Sequence, residues 1–470
     1  MSTLLYLLNF VFVLLEVIVL FNAIIIAHEW GHFLAARWRG LKIEEFGVWF
    51  GKPLWKKEIN GVLYSLGTIP AGGFVKLPQL APMDIIEGEA DVPRETLPPI
   101  SAWDKTIVAF AGPLFSFLLA IVLACIVYWV GKPVSEQEKT TTIGYVEAGS
   151  PAAVAGLQPG DRILAIDGHK VRRFTGMINS VVWFVVRSEG EKIAFQIERN
   201  GQILTLNSGW VKEPRKAWER AGLREVQILP ALPTQVKNVE PGSPASEAGL
   251  QPGDTIAYVN GQRIFTPGVL ALTIDKAPEA PVQLTVERGS QWLNFSIQPR
   301  PLPSEEGKSR PRIGIEWDRR VTLDHPTPTQ QIVDSATSIV NMVGALVSPK
   351  SDVKAQHFSG PVGIGRIYYA MFQSEHGWRM ALAFSVFFNV NLALLNLLPF
   401  PVLDGGHIVI AIIESIRRKP VNIKVLETVQ SACALLLIGF ILFVTFYDVQ
   451  DLVPWRKIVH EKEAPAATGK

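Results

Sequence analysis

Residues 27–32 read Ala27-His28-Glu29-Trp30-Gly31-His32. They match H-E-x-x-H and lie inside an apolar stretch, Leu4 to Ala36. On a helix, His28 and His32 share one face. Two imidazoles at that spacing can hold one zinc ion, with Glu29 between them in reach of a water on the metal. Zinc lowers the pKa of such a water, and Glu29 is placed to accept its proton and pass it to a leaving amine. Three fixed residues in five match by chance fairly often, so the setting carries the weight. A lone His on an apolar helix is usually a satisfied core residue. Two His and a Glu in a membrane-length apolar run are costly unless they do something.

The rest of the chain fits that setting. It has 470 residues, 48% hydrophobic and 19% charged, with a mean hydropathy of +0.23. Charge is below the usual quarter or so, as in a membrane protein with sizeable soluble parts. The net charge of +2 gives nucleic acid no footprint. Cys125 and Cys433 both sit in apolar segments and read as small hydrophobes. Residues 1–20 lack a basic n-region and a small-residue cleavage site, so no cleavable signal peptide is expected.

Leu4 to Ala36 predicts a spanning helix (domain 1–36). Its length exceeds the roughly 30 Å of bilayer hydrocarbon, so it tilts or protrudes. The following segment, 37–105, is rich in Lys and Arg, which places it in the cytoplasm and the N-terminus outside. Its stretches Ile43–Phe50, Gly61–Ile69 and Gly73–Leu77 are short, rich in β-formers and punctuated by Gly and Pro. They predict a small, membrane-associated β-hairpin sheet. Ile107 to Val130, within 106–131, is a second span, with Ala111-Gly112-Pro113 allowing close helix approach.

Residues 143–168 (IGYVEAGSPAAVAGLQPGDRILAIDG) recur as 236–261 (VKNVEPGSPASEAGLQPGDTIAYVNG). Such long gapless identity marks a true internal repeat. Each copy reads as a strand, a Gly-Ser-Pro turn, a short helix, a Pro-Gly-Asp turn and another strand. The pattern resembles permuted PDZ domains, expected over 132–229 and 230–320. PDZ domains bind extended peptides by strand addition. The resemblance places a carboxylate-binding loop at Ile313-Gly314-Ile315 in the second copy and near Glu225-Val226 in the first. A working groove and a plain steric filter both remain open.

Residues 321–376 are expected to hold amphipathic helices, Thr327–Val347 and one opening at Ser359-Gly360-Pro361-Val362-Gly363. Trp378 to Leu398 is a third span, within 377–405. Pro399 and Pro401 break it, and Asp404 follows. An ionisable residue beside an apolar span calls for a partner or a metal. A catalytic zinc takes three protein ligands and one open position, which His28, His32 and Asp404 would supply. Residues 406–424 read as a second basic cytoplasmic loop, 425–447 as the fourth span, and 448–470 as an outer tail.

Together, His28-Glu29-x-x-His32, Asn396-x-x-Pro399-x-Pro401-x-Leu403-Asp404-Gly405 and the paired PDZ-like repeats between spans two and three resemble the site-2 protease family. These are intramembrane zinc metalloproteases, and the likeness is to the bacterial RseP-type branch. It covers nearly the whole chain. It implies a polytopic α-helical membrane protein of four transmembrane helices, with a membrane-associated β-sheet and two periplasmic α+β PDZ domains, in the bacterial inner membrane. The implied activity is cleavage of single-span membrane proteins, namely an anti-sigma factor after a first periplasmic cut, and remnant signal peptides. The PDZ pair would act as a size filter. The sheet would present substrate as an added strand along the 61–77 edge, which makes Gly67 and Ile69 candidate substrate contacts beside Pro399 and Pro401. Asn396 is a candidate for holding the substrate backbone or oxyanion, or else a cap for the broken helix. Ser116, where family members often have Asn, is expected at a helix-packing contact. Two other classes compete. A peptide-binding scaffold would have a structural metal with four protein ligands, His407 being the available fourth. A zinc transporter would need ligands in several spans.

Overall fold

The computed structural model describes residues 3–80, 97–216, 218–303, 309–319, 321–419 and 421–451. Residues 81–96 of the first basic segment, 304–308, and nearly all of the tail expected over 448–470 lie outside the described residues. The chain divides into two units. One holds Met1–Lys132, His325–Asn341 and Ala355–Lys470, the other Pro133–Asp324 and Met342–Lys354.

In the first unit, α1 (Thr3–Arg39) is followed by a four-stranded sheet. Its strands are β1 (Glu45–Phe50), β2 (Trp55–Ile59), β3 (Val62–Leu66) and β4 (Ile69–Lys76), in the order β2-β3-β1-β4. The sheet is mixed rather than a run of hairpins, because β1 pairs with β3 in parallel. β2 was not expected: its sequence Trp-Lys-Lys-Glu-Ile is exposed throughout and shows no apolar alternation. Strand β3 is therefore interior, and the free edge on this side belongs to β4. The sheet packs on α1 and on the helix Ala102–Val130 through Phe33, Phe46, Tyr64, Val75 and Val108.

Helix α2 (Ala102–Val130) opens with a capping box. Ser101 Oγ accepts from Asp104 N at 3.1 Å, and Asp104 Oδ2 accepts from Ser101 N at 3.3 Å. Such a box satisfies backbone donors that the first turn leaves unpaired. The remaining helices outside the repeats are α3 (Pro328–Val347), α4 (Pro361–Phe372), α5 (Gly377–Asn396), α6 (Asp404–Arg417) and α7 (Ile423–Gln450). Among the described residues, four helices are long and apolar enough to cross a membrane: Phe10–Arg39, Ala102–Val130, Gly377–Asn396 and Lys424–Gln450.

Helix α6 corrects one expectation. The sequence predicts a basic loop over residues 406–424, yet Asp404–Arg417 is helical. The charges that marked a loop fall only at its end. The run Ile408–Ile413 is apolar but too short to span, and Glu414 pairs with Lys105 at the start of α2 at 2.5 Å.

In the second unit each sequence repeat folds into a four-stranded sheet and two short helices. The first sheet runs 202–208, 193–199, 162–166, 169–170, and the second 262–263, 255–259, 282–288, 291–297. Ser150 and Ser243 cap equivalent helices, accepting from Ala153 N and Ser246 N. Ile163, Ile193 and Phe195 fill one core, and Ile256, Leu284 and Val286 the other. Val321–Asp324, placed with the helices by sequence, is instead a strand paired with Lys132–Ser135.

Candidate metal centre

His28 and His32 lie one turn apart on α1. Asp404 reaches them from the first turn of α6. The chain gets there by a tight break after α5: Phe400 N donates to Leu398 O, and Leu403 N to Phe400 O. Gly406 is required by this fold-back, since a Cβ there would lie 2.0 Å from Phe400 O.

The three side chains converge. His28 Nε2 and His32 Nε2 are 3.2 Å apart. His28 Nε2 is 3.2 Å from Asp404 Oδ2, and His32 Nε2 is 3.3 Å from Asp404 Oδ1. His32 Nδ1–H donates to Val108 O at 2.8 Å, so a neutral His32 turns the lone pair of Nε2 toward the cluster. Asp404 Oδ2 is buried with no hydrogen-bond partner, although His28 Nε2 lies 3.2 Å away. Lone pairs facing one another at this range repel unless a cation lies among them. Tetrahedral zinc with bonds of about 2.0–2.1 Å sets its ligand atoms about 3.3 Å apart, which matches the observed triangle. The donor set therefore fits zinc. Among the described residues, His28, His32 and Asp404 are the one group of His, Cys, Asp and Glu side chains placed to hold a metal. His407, the available fourth ligand, lines the same cavity without joining that group.

The surroundings orient the imidazoles. Ser116 Oγ, fully buried, lies 3.0 Å from His28 Nδ1. Ser116, expected at a helix-packing contact, thus contacts the ring of His28, the place that outer partners of ligating histidines take. Gly112 lies against both rings: a Cβ there would be 2.2 Å from His32 Nε2 and 2.8 Å from His28 Nε2.

A cavity of about 270 Å³ opens on this triad, lined also by Glu29, Gly73, Phe74, Asn396 and His407. Glu29 faces β4, where a Cβ at Gly73 would sit 3.5 Å from Glu29 Cγ. Asn396, the last residue of α5, is on the cavity wall. Pro399, Pro401, Gly67 and Ile69 are not. Pro401 O accepts from Gln430 Nε2 of α7 at 3.3 Å. Gly67 N donates to Val48 O at 2.8 Å, and Ile69 opens β4 opposite Phe50. Residues 313–315 belong to the other unit. There Ala245 N and Glu240 N donate to Ile313 O and Gly314 O. In the first repeat Ala152 N and Glu147 N donate to Val226 O and Gln227 O in the same way. Gly314 and Gln227 both have positive φ, +81 and +60. The counterpart loop is therefore Val226-Gln227-Ile228, slightly beyond the place expected from sequence.

The sequence profile of Peptidase family M50 matches residues 16–440. The chain belongs to peptidase family M50. This M50 chain is 30% identical over 471 residues to the regulator of sigma-E protease RseP of Escherichia coli, covering 93% of this chain and 99% of that one. It is 29% identical over 430 residues to a putative zinc metalloprotease of Vibrio cholerae, covering 87% and 92%. A putative zinc metalloprotease of Neisseria meningitidis is 30% identical, covering 90% and 95%. A solved PDZ domain of an SdrC-like protein from Listeria monocytogenes covers 18% of this chain and 85% of its own at 21% identity, with a TM-score of 0.16, too slight a likeness to bear on the fold. The M50 chain is thus a metalloprotease of the site-2 protease family, a zinc-dependent family.

Proposed function

We propose that this protein is a zinc-dependent intramembrane endopeptidase that cuts single-span membrane proteins within or beside their transmembrane helix. The observation that carries this reading is the convergence of His28, His32 and Asp404 beside Glu29, on helices long and apolar enough to span a membrane. His28, His32 and Asp404 hold the zinc. When bound, it supplies Lewis-acid polarisation of a water and of the scissile carbonyl. Glu29 accepts the proton of the attacking water and delivers it to the leaving amine. Asn396, on the wall of the same cavity, holds the substrate backbone.

A substrate helix hides its carbonyls in its own hydrogen bonds, so it must unwind first. The β4 edge offers replacement bonds to an added strand, and β4 lines the same cavity as Glu29. Pro or Gly near the cut should speed cleavage, since they cost a helix about 3 and 1 kcal/mol. Basic segments at 37–105 and 417–424 support a cytoplasmic location for those ends of the helices, with both termini and the repeats in the periplasm and the site toward the cytoplasm. The paired repeats serve as PDZ modules, whether as a size filter or as peptide binders at Ile313-Gly314-Ile315. By resemblance to RseP-type proteases, the substrates are an anti-sigma factor already cut on its outer side and remnant signal peptides. The test is a reconstituted assay with a single-span peptide. The parent protein should cut it and lose activity to a zinc chelator, with zinc restoring it. A metal-loaded protein that leaves every such peptide intact overturns the reading.

A further inference from the structure

Two residues that play no part in the chemistry tie the β4 edge to the helix that carries Glu29. Asn22 lies on α1, two turns before Glu29 and on the same face. It is 5% exposed, and a buried amide in a membrane-length helix needs partners. Its Oδ1 accepts from Trp49 Nε1 at 2.7 Å. Its Nδ2 donates to Ile18 O at 2.7 Å, and Pro70 O lies 3.4 Å away. Trp49 is the next-to-last residue of β1, and it has φ +67. That left-handed conformation is a genuine outlier for a bulky side chain, and something nearby has to hold it there.

The same point is a break in the sheet. Val48 pairs with Gly73 and Phe50 with Ile69, so Trp49 alone faces residues 70–72 of β4. One strand carries surplus residues there, and a bulge of this kind fixes how the strand is aimed beyond it. The segment beyond is Gly73, whose Cβ position lies 3.5 Å from Glu29 Cγ and 3.8 Å from Ile25 Cγ2. The indole, the amide and the Pro70 carbonyl thus pin the bulge at Asn22, and β4 runs from that pin along α1 to the base.

We propose that Asn22 and Trp49 are positioning residues that set the register of the β4 edge against Glu29, and so fix which peptide bond of an added substrate strand reaches the metal centre. This rests on the proteolytic reading above. Neither residue touches the cluster, so their loss should shift the cut rather than the metal.

The test uses full-length protein in vesicles, a single-span peptide, zinc analysis and mass spectrometry of the products. In Asn22→Leu, the amide is replaced by an apolar side chain of similar volume. The dominant cut of the parent should give way to cuts at neighbouring bonds, with kcat lowered by up to ~10²-fold, as misplacement of about 1 Å can cost. Zinc content should equal that of the parent. Trp49→Phe keeps an aromatic ring, removes the donor and trims the side chain, and it should show the same shift if Asn22→Leu does not fold. An unchanged pattern of cuts in both variants, at any overall rate, overturns the inference, as does loss of zinc in both, which would assign the pair to folding alone. No cleavage by the parent overturns the proteolytic reading, and this inference with it.

Discussion

At the scale of single residues, the centre depends on groups that differ in how they act. Glu29→Gln should leave zinc content unchanged and lower cleavage by ~10²–10⁴-fold, the range for a lost general base, as measured by zinc analysis and product formation. Gly112→Ala should act on the metal instead. Its methyl group would occupy the space of His32 Nε2, so the protein should lose zinc and activity together. Ser116→Ala removes the partner of His28 Nδ1 and should weaken zinc affinity ~10–100-fold, measured by chelator competition. The triad was legible because an ionisable residue inside an apolar run is expensive and needs a reason. The supports were not. A hydroxyl in an apolar helix does not say which way it faces, and the Val108 carbonyl that orients His32 is backbone, which sequence patterns do not see.

At the scale of elements, the two repeats share a buried lock. Asp161 pairs with Arg199 and Asp254 with Arg288, and each Asp also accepts from the backbone of its Pro-Gly-Asp turn. Burial pushes the Asp254 carboxyl up, but the Arg288 hydrogen bond and the Gln251 N–H outweigh it and hold the group below its ordinary value. A depressed carboxylate stabilises the fold above its unfolded pKa of about 3.9, and that contribution is lost as pH falls through the lower folded value. The second repeat should therefore melt at lower temperature under acid, and Asp254→Ala should cost about 1–3 kcal/mol near neutral pH and flatten that dependence. The turns and helices of the repeats could be read because their signals are local: Ser before Pro, Gly after the helix, Asp after Gly. The membrane-side sheet could not be read in full. The parallel β1–β3 pairing is non-local, and the exposed β2 carries no apolar alternation. The α6 helix was hidden because charges at its end outweighed the apolar run before them.

At the scale of the whole molecule, the proposed protease would cut at a centre on membrane-length helices, with the pair of repeats screening what reaches it. Removing the repeats, residues 133–324, should allow cleavage of single-span proteins whose outer domains are intact, read by comparing full-length and truncated substrates. Selectivity for truncated substrates that survived the deletion would remove the filter role. The central claim is narrower: two imidazoles from α1 and one carboxylate from α6 share one zinc ion with a place left open. X-ray absorption at the zinc edge on the purified full-length protein tests it most directly. One zinc per chain, with two imidazole nitrogens, carboxylate oxygen and one exchangeable oxygen, and the loss of that signature in Asp404→Ala, is the predicted result. A zinc closed by four protein ligands, or a spectrum that Asp404→Ala leaves unaltered, would contradict it.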